Sequence, residues 1–238
     1  MELICYLCNG YPSIDKSIEM AKTYVQAGCD IIEIDFPCQN PYLESDLIAG
    51  RMAKALEACG DYRAYMDGMA RAKKELPGTS FLLLLYESTL LEIGYDTFIS
   101  FCKENAFYDL ILVGNQDDVI KSKLMADSIR VSCYVQYDLG RDEVQNAKNS
   151  NGFVYLQAKP TTGKINPDYP NLSDCIAYLR KEGIAAPIYC GVGIHSPEDV
   201  AMAKDAGADA VFVGSTILKL HEDKAALMDA IRAFKAKC

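Results

Sequence analysis

The chain has 238 residues, half of them hydrophobic, and a formal net charge of −9. This length suits one large core, since a single α/β barrel typically has about 250 residues. The acidic balance and the lack of a basic run exclude the charge pattern of nucleic-acid-binding proteins, so we expect no nucleic-acid partner. An anionic ligand would therefore have to be held by local backbone amides rather than by a general positive field.

The N-terminal segment Met1–Tyr6 lacks the basic region and the long apolar stretch of a signal peptide. No apolar run approaches the roughly 20 residues that span a bilayer, so we expect no membrane partner. Five of the ten cysteines fall in or beside apolar runs: Cys5, Cys29, Cys102, Cys133 and Cys190. We therefore expect most of the cysteines to be reduced core residues of a cytoplasmic protein.

The sequence contains little that predicts a metal site. The Cys5-x-x-Cys8 spacing lies on a predicted strand, where positions three apart face opposite sides. Only His195 and His221 are present, which excludes a histidine-rich metal site. We expect surface positions for both histidines, and neither a metal nor a cofactor.

Predicted strands and helices alternate along the whole chain, beginning with a strand at Leu3–Leu7 and a helix from Ser13 to Ala27. The remaining strands are predicted at Asp30–Phe36, Ser80–Tyr86, Asp109–Val113, Arg130–Gln136, Gly152–Gln157, Pro187–Gly191 and Ala208–Val213. Continuous apolar strands alternating with amphipathic helices are typical of a parallel sheet covered by helices. The eight units favour an α/β fold, a single (β/α)8 TIM barrel with a parallel eight-stranded core, over an open sheet. No linker divides the chain, so we expect one domain over residues 1–238.

Two acidic side chains lie near the end of the second predicted strand. Because side chains alternate along a strand, Glu33 and Asp35 share one face, opposite Ile32 and Ile34. Buried carboxyl groups are costly unless paired or used, and two together raise the pKa of at least one of them. Such a pair suits a general acid or base, and the alternative is a buried salt bridge or a hydrogen bond to a neighbouring strand.

The segment that follows, from Pro37 to Asp46, is long, polar and bracketed by prolines, which is typical of an active-site loop. Either Glu44 or Asp46 could supply a further carboxylate. Ser45 could equally be a helix N-cap, in which case the acids only complete the first helical turn.

In a parallel barrel the active site lies at the C-terminal ends of the strands. After the sixth predicted strand, that end carries Tyr155 and Lys159, followed by Thr162 and Gly163. The Thr-Gly turn could add backbone amides to a phosphate site.

Two glycine turns follow the last two predicted strands, at Tyr189–Ile194 and Val211–Ser215. Glycine lets the backbone come close to a ligand, and the free N–H groups at a helix start attract an anion. The loops after the seventh and eighth strands of a parallel barrel form a recurrent phosphate site. The two turns therefore predict a small phosphorylated ligand, and the alternative is that their glycines only make tight connections.

Further motifs occur in order over nearly the whole chain: Gly28–Ile34 with Pro37 and Pro41, then Thr162-Gly163, Gly191–Ile194 and Gly214-Ser215. They resemble the tryptophan synthase alpha subunit family. The segment Gly10-Tyr11-Pro12 resembles that family's Gly-Asp-Pro turn after the first strand. Several phosphate-binding barrels share the glycine turns, and the Ile-Ile-Glu segment with its proline-bounded loop makes the resemblance more specific.

The resemblance implies a carbon–carbon lyase of tryptophan biosynthesis. It would cleave indole-3-glycerol phosphate to indole and glyceraldehyde 3-phosphate by a retro-aldol reaction, alone or with a beta-type subunit that uses the indole. Glu33 would match the glutamate that transfers a proton at the indole C3 carbon, Glu44 the aspartate that contacts the indole nitrogen, and Tyr155 a tyrosine near the substrate. The phosphate would be held by Gly163, Gly193, Gly214 and Ser215.

The chain also departs from the family pattern. Glu44 is one methylene longer than the aspartate it would replace, Asp35 stands where the family has glycine, and the turn before Gly163 is one residue short. Either Glu44 or Asp46 could take the aspartate's role, or neither. Two other functions therefore stay open: a barrel enzyme acting on another small phosphorylated compound through Glu33 and Asp35, and a non-catalytic partner that regulates a beta-type subunit.

Overall fold

The computed structural model describes residues 1–114, 118–161 and 163–238. Thr162, named above as part of a phosphate turn, lies outside these ranges, as does the start of the helix expected near Asp117. The strands of the described residues are β1 (Glu2–Leu7), β2 (Ile31–Asp35), β3 (Ser80–Tyr86), β4 (Asp109–Val113), β5 (Arg130–Val131), β6 (Cys133–Val135), β7 (Val154–Gln157), β8 (Ile188–Gly191) and β9 (Ala210–Val213).

Helices connect these strands and cover the outside of the sheet. They are α1 (Ile14–Ala27), α2 (Asp46–Ala58), α3 (Tyr62–Glu75), α4 (Glu87–Ile93), α5 (Tyr95–Asn105), α6 (Asp118–Ala126), α7 (Arg141–Lys148), α8 (Leu172–Lys181), α9 (Pro197–Asp205), α10 (Ser215–Leu218) and α11 (Lys224–Lys235). Within the described residues, no helix combines the length and the apolar character needed to cross a membrane.

The strands are parallel and run in the order β5-β4-β3-β2-β1-β9-β8-β7-β6. The predicted fifth strand, Arg130–Gln136, is divided at Ser132 into β5 and β6. The Ser132 amide donates to the Leu110 carbonyl of β4 at 2.9 Å, whereas the Cys133 amide donates to the Phe153 carbonyl beside β7 at 3.1 Å. One continuous segment thus pairs with both ends of the sheet and closes the predicted (β/α)8 TIM barrel.

Alternation along the strands divides the core into two layers. One set of side chains packs between the sheet and the helices, and it includes Leu3, Ile32, Leu83 and Val213. The other set fills the barrel interior, including Ile4, Tyr6, Ile31, Leu82, Leu84 and Phe212. Because Glu33 and Asp35 alternate with Ile32 and Ile34, they point into the barrel interior with Ile31.

Local signals set the ends of the helices that flank the site. Ser13 accepts a hydrogen bond from the Lys16 amide at the start of α1, and Gly28 ends that helix with a φ of +107°. Ser196 caps α9 in a capping box with Asp199, and Pro197 is the first residue of the helix. These caps fix where each helix begins relative to the strand before it.

Candidate active site

The carboxyl ends of all the strands meet at one end of the barrel, and β2 brings Glu33 and Asp35 there. Glu33 lies beside Tyr6 of β1 and Leu82 of β3 in the register of the sheet. Both carboxyl side chains are buried, with Glu33 only 5% exposed and Asp35 fully enclosed. Their Cα atoms are separated by two strand residues, or about 6.6 Å.

Asp35 is the better hydrogen-bonded of the two acids. The Tyr6 hydroxyl donates to its Oδ2 atom, and the Asn9 amide donates to Oδ1 at 2.7 Å. Burial raises the pKa of Asp35 to about 7, against the opposing effect of these two donors. At Asp35 the structure therefore contains a hydrogen bond to a neighbouring strand, which is one of the two alternatives that the sequence left open.

Glu33 lies in a different environment, although it is on the same face of the same strand. Burial raises its pKa well above the usual value, and the charges of Glu44 and Asp35 raise it further. No described residue donates a hydrogen bond to its carboxyl group. Burial and the two neighbouring carboxyl groups thus favour the protonated form of Glu33 over the carboxylate.

Glu44 reaches the same region from the loop after β2. The Tyr86 hydroxyl, at the end of β3, donates to its Oε1 atom at 3.3 Å, and the Tyr86 ring packs edge-on against Tyr42 at 5.6 Å. Burial raises the pKa of Glu44, and the hydrogen bond from Tyr86 opposes that rise. The charge of Glu44 also raises the pKa of Glu33, so the loop brings these two carboxyl groups together.

Asp46 does not join this group. It is exposed and is the first residue of α2, whose N-cap is Ser45. The Ser45 hydroxyl accepts a hydrogen bond from the Ile48 amide at 3.5 Å. The N-cap interpretation therefore holds for Ser45, and only one of the two loop acids faces the barrel interior.

Tyr155, on β7, forms the opposite wall. Its ring stacks on Phe212 of β9 at 4.3 Å and meets Tyr134 of β6 edge-on at 5.5 Å. Burial raises the pKa of Tyr155 well above its usual value, and the charge of Glu33 raises it further. The phenol stays neutral, and the Tyr155 ring, which covers the buried Phe212, is the half-buried aromatic group on this wall.

The glycine turn after β8 fits closely against β7. A methyl group at Gly191 would overlap the Tyr155 ring, and one at Gly193 would lie 2.8 Å from Cβ of Lys159. Gly193 also has a φ of +107°, which side chains rarely adopt. Glycine is thus required at both positions, and Lys159 runs under the turn to an ion pair with Asp199 of α9.

The backbone amides of Gly193, Gly214 and Ser215 have no acceptor among the described residues. Gly214 and Ser215 lie at the start of α10, which has no side-chain cap. The pairing of β8 with β9 brings this start beside the turn that holds Gly193. Gly163 lies in the exposed loop after β7 with a φ of +71°. The unbonded amides of Gly193, Gly214 and Ser215 make a candidate anion cradle.

A buried network of polar side chains beside the site was not predicted from the sequence. Arg51 of α2 donates to Nδ1 of His221 at 2.8 Å and to the Leu218 carbonyl at 2.7 Å, while Tyr24 donates to the Tyr6 carbonyl at 3.1 Å and contacts His221. Burial, and then the charge of Arg51, lowers the pKa of His221 to about 4.

The expectation of a surface helix position for His221 was wrong, since it lies half-buried in the turn between α10 and α11. His195 is exposed.

Comparisons with known proteins agree on one family. The family model described as tryptophan synthase alpha chain matches residues 1–238. The alpha chain of Staphylococcus carnosus is 28% identical over 210 residues, covering 85% of this chain and 82% of that protein. The alpha chain of Edwardsiella ictaluri is 27% identical over 242 residues, covering 98% and 90%.

Solved structures show the same fold. A chain from Aquifex aeolicus superposes with a TM-score of 0.86 at 21% identity, covering 99% of this chain and 92% of that one. A chain of the aminoacrylate-bound tryptophan synthase of M. tuberculosis gives a TM-score of 0.82 at 21% identity, with the same coverage.

Proposed function

Because the chain belongs to the tryptophan synthase alpha chain family, we propose that it cleaves indole-3-glycerol phosphate to indole and glyceraldehyde 3-phosphate. The main support is the position of Glu33, a buried acid with no hydrogen-bond donor among the described residues, at the barrel end that carries the free amides. The reaction we propose uses no metal and no cofactor.

The proposed chemistry divides between the two glutamates. Glu33 protonates the indole C3 carbon, which weakens the bond to the glycerol carbon. Glu44 accepts the proton of the indole nitrogen as C3 is protonated, and returns it to the nitrogen as indole leaves. As the bond breaks, its electron pair returns to the indole ring, and the hydroxyl group of the glycerol carbon loses its proton and becomes the aldehyde. General acid–base steps of this kind contribute about 10²–10⁴-fold each.

Binding is assigned to the groups around the two glutamates. The ring of Tyr155, which stacks on the buried Phe212, would pack against the indole. The amides of Gly193, Gly214 and Ser215, with Gly163, would hold the phosphate, because the net charge of −9 offers no general attraction for an anion. The cation of Lys159 is already paired with Asp199.

We also propose a beta-type subunit as partner. Exposed apolar side chains, Tyr42, Leu43, Ile165 and Val192, lie in loops that follow β2, β7 and β8 at the catalytic end. A cytoplasmic location is proposed on the ten cysteines, which are all free thiols.

Indole release from indole-3-glycerol phosphate tests the function directly. We expect the wild-type protein to release indole, alone or with a beta-type subunit, and Glu33→Gln to lose about 10²–10⁴-fold in kcat because the amide carries no transferable proton. Glu57→Gln removes an exposed carboxylate from α2 and is the matched control, which we expect to retain the wild-type rate. The proposal fails if the wild-type protein releases no indole under either condition.

A further inference from the structure

Asp35 is a third carboxyl group at the catalytic end, and the proposed reaction gives it no role. It lies two residues beyond Glu33 on the same face of β2, about 6.6 Å along the strand. Its side chain is fully enclosed. A buried acid beside two others is costly, so its presence calls for a physical account.

The three carboxyl groups differ in the donors that reach them. Asp35 accepts hydrogen bonds from the Tyr6 hydroxyl and the Asn9 amide. Glu44 accepts one, from Tyr86. Glu33 accepts none from the described residues. Because hydrogen bonds to a carboxylate stabilise its charged form, Asp35 carries a negative charge more readily than Glu33 does.

The tyrosine and cysteine side chains around Glu33 and Asp35 stay neutral. Burial raises the pKa of the Tyr6 hydroxyl and of the Cys8 thiol, both on the β1 side. Burial likewise raises the pKa of Tyr86 on β3 and of Tyr155 on β7.

Arg51 is the cation that acts on Cys8, and its guanidinium is bonded to His221 and the Leu218 carbonyl. The charges that act on Glu33 are thus those of Glu44 and Asp35.

We propose that Asp35 is a positioning residue that ionises ahead of Glu33, and that its negative charge keeps the proton on the Glu33 carboxyl group until the substrate binds. Its part in the reaction rests on the proposed lyase function. Glu33 then gives its proton to C3, and the glycerol hydroxyl returns one proton to Glu33 as the carbon–carbon bond breaks. The site starts and ends with Glu33 protonated.

The pH profile of indole release tests this role. Asp35→Asn removes the neighbouring charge, which lowers the pKa of Glu33, so the acid is lost at lower pH. We expect the alkaline limb of kcat to move down by about one pH unit or more. Asp35→Glu keeps the charge and should restore most of the wild-type limb, and Glu57→Gln should leave the limb unmoved. An alkaline limb that stays in place in Asp35→Asn overturns the proposal.

A second readout does not depend on activity. The carbonyl band of a protonated carboxyl group is visible by infrared difference spectroscopy, and the band lost in Glu33→Gln assigns it. We expect that band to disappear at lower pH in Asp35→Asn than in the wild-type protein. Tyr6→Phe removes a donor from Asp35, so it should shift the band in the same direction by a smaller amount, and it serves if Asp35→Asn does not fold.

The two readouts separate the two proposals. If the wild-type protein releases no indole but the Glu33 band shifts as expected, the lyase function fails and the role of Asp35 in holding the proton stands. If indole is released and the band disappears at the same pH in all variants, the lyase stands and the role of Asp35 is wrong.

Discussion

Glu44 and Asp46 are two residues apart in one loop, yet their surroundings differ. The Glu44 carboxyl group bonds to Tyr86 and lies within reach of Glu33, whereas Asp46 is exposed at the start of α2. Sequence spacing could not choose between them, because the loop has no strand or helix period. The choice depends on Tyr86, which approaches from a different strand.

A pair of matched substitutions tests that choice. Glu44→Gln should lower kcat for indole release by about 100-fold or more, since it removes the proposed acceptor of the indole N–H proton. Asp46→Asn should cost only about 0.3–1 kcal/mol of stability through the helix dipole and leave kcat close to wild type. Steady-state kinetics and thermal unfolding of both variants measure these effects. The reverse ranking of the two kcat values would move the role to Asp46.

Among the elements, α9 and α10 follow neighbouring strands but begin differently. Asp199 of α9 accepts hydrogen bonds from the amides of His195 and Ser196 and pairs with Lys159, so its own side chains satisfy this helix start. The start of α10 at Gly214 has no side-chain cap. An anion would therefore meet unbonded amides at the start of α10, whereas the Ser196 and Asp199 side chains already occupy the start of α9.

Substitutions at Gly214 test the phosphate cradle. A methyl group there would lie 3.7 Å from Cβ of Tyr6, an ordinary contact, so Gly214→Ala should retain most of the affinity for glycerol 3-phosphate. Gly214→Asp should lose at least about 100-fold, since two like charges at about 4 Å repel by roughly 4 kcal/mol near a protein surface. Titration calorimetry compares the two variants. Equal affinity of Gly214→Asp and wild type would remove Gly214 from the site.

For the molecule as a whole, several exposed apolar side chains lie in the loops at one end of the barrel. The exposed apolar side chains Leu43, Tyr42 and Val192 belong to loops at the catalytic end. Gly78, which precedes β3, lies at the opposite end and is exposed, with open space around it. Apolar groups gathered at one end fit a partner surface better than a solvated one.

Matched substitutions that add one negative charge at either end of the barrel test the proposed partner. Leu43→Asp should weaken association with a beta-type subunit by about tenfold or more, because a carboxylate would be buried at the contact. Gly78→Asp adds the same charge at the other end and should leave association unchanged. Analytical ultracentrifugation of the mixtures gives both constants. Equal weakening by both variants would argue against a contact at the catalytic end.

By itself, the sequence determined the alternation of strands and helices, the direction of Glu33 and Asp35 and the glycine turns, because these follow from local periodicity and from backbone freedom. It also carried the motifs of the family. Tertiary structure alone decided the break at Ser132, where one segment bonds to β4 on one side and to β7 on the other. It likewise decided that Tyr6 donates to Asp35 and that Arg51 bonds to His221. These contacts join residues far apart in the chain, and only the closing of the barrel brings them within hydrogen-bond distance.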